Sequence, residues 1–176
     1  IRSVGPFSMQ TPHTGNMAYE DGVRKVPHAA LSLEDAEMLS RMAARGERIR
    51  IRLKMEAHTL PDGFSRNVIA DLKGWEKPEE IVIVSGHIDS WDVGQGAHDD
   101  AGGSVAAWEA LRIIKELGLR PKRTIRCVLW TNEENGLKGS KAYRDMHMDE
   151  LDQHVLAIES DGGVFAPSGF GFTGSD

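Results

Sequence analysis

With one cysteine in 176 residues, Cys127, the chain has no internal disulfide framework, and cysteine usage leaves the compartment open. Cys127 sits mid-strand in Thr-Ile-Arg-Cys-Val-Leu-Trp, a setting for a buried small residue and not for a reactive thiol. Apolar runs are short. The longest, Ile81-Val82-Ile83-Val84, is strand-sized, far below the ~18 residues a membrane span needs. Basic charge is scarce too: 21 Lys and Arg against 27 Asp and Glu leave a net charge of −6. The one basic cluster, Arg120-Pro-Lys-Arg123, reads as a solvated turn, so no nucleic-acid partner is expected. No Asn-x-Ser/Thr sequon, internal repeat or low-complexity tract occurs. An initial Met and a signal peptide are also missing, and both ends are expected to be cuts through a longer protein.

What is present is ordinary globular composition, 40% hydrophobic and 27% charged, enough for one domain and part of another. Residues 1–30 are loop-rich, with Pro6, Pro12, Gly15, Gly22 and Pro27. Ser32-x-x-Asp35 is a capping pattern for a helix with Leu33, Ala36, Leu39 and Ala43 on one face and Gly46 at its end. Glu47–Met55 alternates strictly, apolar against basic, and predicts a strand with one wet face. Pro61-Asp62-Gly63 then breaks the pattern. Beyond it we expect strands at Arg66–Leu72, Ile81–Val84, Thr124–Thr131 and Val155–Glu159, and helices at about Asp100–Leu117 and Leu137–Met146. That alternation predicts an α/β fold, a mostly parallel sheet flanked by helices. The wholly apolar Ile81–Val84 suggests that both faces of the sheet are covered. Trp108 and Trp130 are expected in the core, and Trp91 could line a substrate pocket.

In open α/β sheets, ligands bind beyond the carboxyl ends of the strands. Here one strand runs into Ser-Gly-His87-Ile-Asp89, another into Asn-Glu133-Glu134, and a third into Ser-Asp161-Gly-Gly. A fourth piece, Gly-Ala-His98-Asp99-Asp100-Ala-Gly-Gly, lies between the first of these strands and its helix. Each piece alone is commonplace, since a Glu pair is usually solvated and Asp-Gly is usually a turn. Four of them on one edge of one sheet are hard to dismiss. Imidazole and carboxylate ligands without thiolates suit zinc, and two nearby cations need a bridging carboxylate. A further carboxylate must stay unligated to take and return the proton of an attacking water, and Glu133 and Glu134 could divide those tasks. Asp89, two residues past His87 on an extended chain, could hold the second imidazole nitrogen. Gly102 and Gly103 would let a helix start pack close beneath the site.

Ser-Gly-His-Ile-Asp-Ser-Trp-Asp-Val-Gly-Gln-Gly-Ala-His-Asp-Asp-Ala-Gly-Gly, Leu-Trp-Thr-Asn-Glu-Glu-Asn-Gly and Glu-Ser-Asp-Gly-Gly together resemble the co-catalytic zinc exopeptidases. The resemblance covers essentially the whole chain, and Ser90–Gly96 and Gly118–Thr124 point to a carboxypeptidase/dipeptidase branch. It implies that residues 1–61 are the C-terminal part of a protease-associated insert and 62–176 the first part of a zinc peptidase domain. It implies two zinc ions, with His87 and Asp161 on one, Glu134 on the other and Asp99 bridging. Glu133 would be the general base and acid, Asp89 would orient His87, and a cis peptide would join Asp99 to Asp100.

The implied activity is hydrolysis of small peptides, dipeptides with free termini, by a secreted or lysosomal homodimer. The alternatives are a catalytically inactive receptor-like or binding protein on the same scaffold, and a one-zinc acyltransferase relative. The family's fifth ligand is a histidine farther downstream than Asp176, so these residues alone are expected to be inactive. His147 and His154 read as helix-end or loop histidines and not as that ligand. His13, His28 and His58 fall in the insert, where a surface role is expected. His98 departs from the residue the family places beside its bridging aspartate, and is either a solvent-exposed neighbour or a modulator of the site.

Overall fold

The computed structural model describes residues 2–3, 19–56, 58, 60–91 and 94–174. Pro6, Pro12, His13, Gly15, Asp92 and Val93 lie outside the described residues. The chain divides into two compact units, Ile1–Gly63 and Phe64–Asp176.

In the first unit, β1 (Arg2–Ser3) pairs in parallel with β2 (Ala30–Leu31), and α1 covers Leu33–Ala44. Ser32 caps that helix as its sequence predicts, its hydroxyl accepting the Asp35 N–H at 3.2 Å. Gly46 follows with φ +75°, a left-handed turn that suits glycine. His28 is half-buried, its ring 5.2 Å from that of Tyr19, while His58 is exposed. The alternating stretch Glu47–Met55 is not a strand: it is irregular, with Ile51, Leu53 and Met55 exposed. Alternation makes a strand only where a ladder partner stands beside it, and none of the described residues pairs with this segment.

The second unit holds a four-stranded sheet, order β3-β5-β4-β6, built from Val68–Leu72, Lys77–His87, Arg123–Trp130 and His154–Glu159 in chain order. Strands β4, β5 and β6 are mutually parallel, whereas β3 runs antiparallel to β5 at one edge. The sheet is therefore mixed. The four residues between β3 and β4 are too few for the crossover that a parallel return requires. Register pairs His87 with Trp130 and Ser85 with Glu159, which brings the carboxyl ends of β4, β5 and β6 to one edge.

Both faces of the central strands are covered. On one, α2 (Ala101–Glu116) lays Ala107 and Leu111 over Cys127, which is 3% exposed, with Leu72, Val84, Ile125 and Leu129 around them. On the other, Ile81, Ile83, Val128 and Trp130 pack with Tyr143 of α3 (Lys138–Met146). The Trp130 and Tyr143 rings meet edge to face at 5.4 Å. Trp108 does not join the core and is 61% exposed. The buried positions of α2 are Gly103, Ser104, Ala107 and Leu111, spaced by about one turn, and Trp108 lies roughly 100° round the helix from Ala107. A 3-10 helix, Met148–Gln153, links α3 to β6 and has no marked sequence signal.

His147 ends α3 and stacks on Tyr143 at 3.9 Å, and His154 opens β6 with its Nε2 2.8 Å from the Tyr143 hydroxyl. His154 pairs with Ile81, well back along β4 from His87, so neither residue approaches the carboxyl edge. Replacing Trp130 with Ala is expected to cost about 3–5 kcal/mol in equilibrium denaturation. Trp108→Ala should change stability by no more than about 0.5 kcal/mol. Equal losses for the two would contradict this division of core and surface.

Candidate metal centre

Strand β4 ends on His87, whose side chain is 1% exposed. Its main chain is held from below. The Asp100 carboxylate accepts the His87 N–H at 3.0 Å, and the Ser104 hydroxyl donates to the His87 carbonyl at 2.9 Å. Asp100 also caps α2, accepting the Gly103 N–H at 2.9 Å. The glycines allow this approach: a Cβ on Gly86 would meet Ser104 and Asp100, and one on Gly103 would overlap the Ser160 carbonyl oxygen. The Asp99–Asp100 peptide is cis.

The imidazole has two distinct sides. Nδ1 lies 2.9 Å from the Asp89 carbonyl oxygen, which fixes the proton on Nδ1 and leaves Nε2 as the free lone pair. Nε2 faces carboxylates: Asp99 Oδ1 at 3.1 Å, Asp161 Oδ1 at 3.2 Å and Glu133 Oε2 at 3.9 Å. Asp99 enters from the loop before α2, Asp161 from the turn after β6 and Glu133 from the turn after β5. Asp89 holds His87 through its carbonyl; its carboxylate stands 3.7 Å from the ring. The carboxylate instead accepts the N–H groups of Glu133 at 2.9 Å and Glu134 at 3.2 Å, so Asp89 aims both glutamates. This contact joins residues more than forty positions apart, and nothing in the sequence around Asp89 signals it.

Among the described residues, two groups of side chains bring ligand atoms within 4.8 Å of one another: His87, Asp99 and Glu134, and His87, Asp100 and Asp161. Asp100 in the second already has both oxygens on main-chain N–H groups, so it acts as a strut. In the first, Glu134 Oε1 is buried with no hydrogen-bond partner. A buried acceptor without a donor is costly, and a cation would relieve it. Closely placed carboxylates around a neutral imidazole nitrogen are a donor set that fits zinc.

The electrostatics report the same crowding. For His87, burial opposes the charged ring, but the Asp89 carbonyl and the Asp161, Asp100 and Glu133 carboxylates outweigh it and raise its pKa to about 9. Glu134 is pushed up to about 6 by burial and by the Asp99 charge. Glu133 and Asp161 are raised as well, in each case first by burial.

The match to known proteins follows this geometry. The model for peptidase family M28 matches residues 67–175. This chain belongs to peptidase family M28. Over its whole length it is 56% identical to carboxypeptidase Q of Bos taurus and 55% identical to that of Homo sapiens, and it spans 37% of the length of each. Among solved M28-like structures, the peptidase M28 precursor from Shewanella amazonensis SB2B superposes with a TM-score of 0.84 at 43% identity, over 92% of this chain and 37% of that one. The zinc aminopeptidase BSAP of Bacillus subtilis matches with a TM-score of 0.55 at 27% identity, over 76% of this chain and 31% of that one.

Without metal, this M28 site should make stability fall with rising pH. His87, raised above its ordinary 6.5, stabilises the fold fully below that value, and the stabilisation is lost as pH rises through about 9. Glu134, raised from 4.5 to about 6, adds a penalty as it ionises across that interval, which acts in the same direction. In chelator the thermal midpoint is expected to be lower at pH 9 than at pH 6, and an equal or higher midpoint would contradict the crowding.

Proposed function

We propose that the full-length protein carrying these residues is a two-zinc metallo-exopeptidase that hydrolyses small peptides, dipeptides with free termini. The carrying observation is the convergence of Asp99, Asp161 and Glu133 on His87 Nε2, beside a Glu134 oxygen buried without a donor. Identity to carboxypeptidase Q along the whole chain supports the substrate class. His87 and Asp161 would hold one zinc, Glu134 the other, and Asp99 would bridge them. Zinc bound there would supply Lewis acidity to the scissile carbonyl and lower the pKa of a bound water.

Glu133 is the proton carrier in this reading. Its side chain is 21% exposed, has its pKa raised by burial, and is held by the Asp89 bond to its own N–H. A carboxylate raised toward neutral pH can accept a proton from water and return it to the departing amine. Asp89 is a positioning residue, setting the glutamates and the His87 tautomer together. Asp100 and Ser104 fix the main chain from which His87 projects. In this reading the full-length protein is also a secreted or lysosomal homodimer.

Glu133→Gln keeps the shape but removes the proton acceptor. It is expected to lower dipeptide turnover by about 10²–10⁴-fold while both zinc ions stay bound. Turnover near that of the parent would contradict the assignment of Glu133, and loss of zinc would show Glu133 to be a ligand instead.

A further inference from the structure

Asp161 stands just beyond the carboxyl end of β6. Strand β6 is paired only through β4 among the described residues, and the last main-chain bond on this side runs from the Ser160 N–H to the Ser85 carbonyl at 3.1 Å. Past that bond the chain turns through Asp161, Gly162 and Gly163, which pair with no strand among the described residues. Yet Asp161 Oδ1 is 3.2 Å from His87 Nε2, in company with the like charge of Asp99. Contacts from the segment before α2 bear directly on the turn that carries this carboxylate.

The segment that enters α2 supplies the contacts. The Val164 side chain packs where a Cβ on Gly102 would stand, and the Ser160 carbonyl fills the space beside Gly103. A further contact is made by His98. Its ring lies against Gly163, so that a Cβ there would fall on the imidazole, and Gly163 has φ +85°, a conformation that favours glycine. Its Nδ1 accepts the Val164 N–H at 3.4 Å, and its ring meets Phe165 edge to face at 5.0 Å. Because a main-chain N–H points at Nδ1, that nitrogen is not available to a metal.

We infer that His98 is a positioning residue: its ring clamps the Gly163–Phe165 turn and thereby seats Asp161 opposite His87. It is also the residue directly before Asp99, so one side chain ties the loop bearing Asp99 to the turn bearing Asp161. Both of these carboxylates approach the same imidazole nitrogen, and the clamp sets their separation. Gly163 is the other half of the device, since any side chain there would displace the ring. The inference rests on the two-zinc reading above.

Removing a residue that orients a metal ligand typically costs 10–100-fold in metal affinity. In the full-length protein, His98→Ala should therefore weaken one of two bound zinc ions by about tenfold or more, measured by competition with a chromophoric chelator. The other zinc should be little affected. His98→Phe keeps the ring over Gly163 and its contact with Phe165, and should restore most of the loss. A residue needed only for folding would instead weaken both zinc ions and lower the thermal midpoint of the metal-free protein.

If His98→Ala does not fold, Gly163→Ala decides. It drives a Cβ into the ring and should produce the same selective weakening, whereas parent-like binding of both ions would overturn the clamp. Parent-like zinc affinity in a folded His98→Ala protein would overturn it equally. A parent protein that holds no zinc would instead sink the two-zinc reading itself, so the two failures are distinguishable.

Discussion

Several carboxylates are held around one buried imidazole nitrogen, and much of the second unit can be understood as the means of holding them there. Asp99, Asp161 and Glu133 would repel one another in the absence of compensation, each of them approaching the same buried His87 nitrogen. The carboxylates around it raise the pKa of His87, and burial followed by the Asp99 charge raises that of Glu134. Such a cluster persists only if the main chain beneath each member is fixed. The parallel register of β4, β5 and β6 provides the edge, and hydrogen bonds from Asp89, Asp100 and Ser104 fix the chain at the glutamates and at His87.

The supporting residues divide the work by distance from the cluster. Asp89 reaches two elements, offering its carbonyl to the His87 ring and its carboxylate to the Glu133 and Glu134 amides. Asp100 reaches two others, joining the end of β4 to the first turn of α2. Glycines 86, 102 and 103 make these approaches possible, because side chains at those positions would occupy the space now taken by Asp100, Val164 and Ser160. Farther out, the Trp130–Tyr143 contact and the Cys127 layer hold the two faces of the sheet.

The site was legible in the sequence because its residues fall at the ends of apolar, strand-like segments. The sequence places His87, Asp99, Glu133, Glu134 and Asp161 on one edge, and the structure brings them together around the His87 imidazole. Which atom of Asp89 touches what was not legible, since an extended chain offers its carbonyl and its carboxylate to the same neighbourhood. The direction of β3 was left open, because periodicity carries no information on strand polarity, although the short loop to β4 does. Glu47–Met55 misled through perfect alternation without a partner strand, and Trp108 misled because a one-residue step on a helix moves a side chain from core to solvent. His98 stood out only as a departure from its family, and what it touches became visible once the turn after β6 was placed.

The most direct test uses the full-length protein and an unblocked dipeptide. Initial rates are measured as prepared, after exhaustive chelation, and after zinc is returned. Activity abolished by chelation and recovered with two equivalents of zinc is the expected result. Hydrolysis that survives chelation, or no hydrolysis in any metal state, would contradict a metal-dependent peptidase built on His87, Asp99, Glu134 and Asp161.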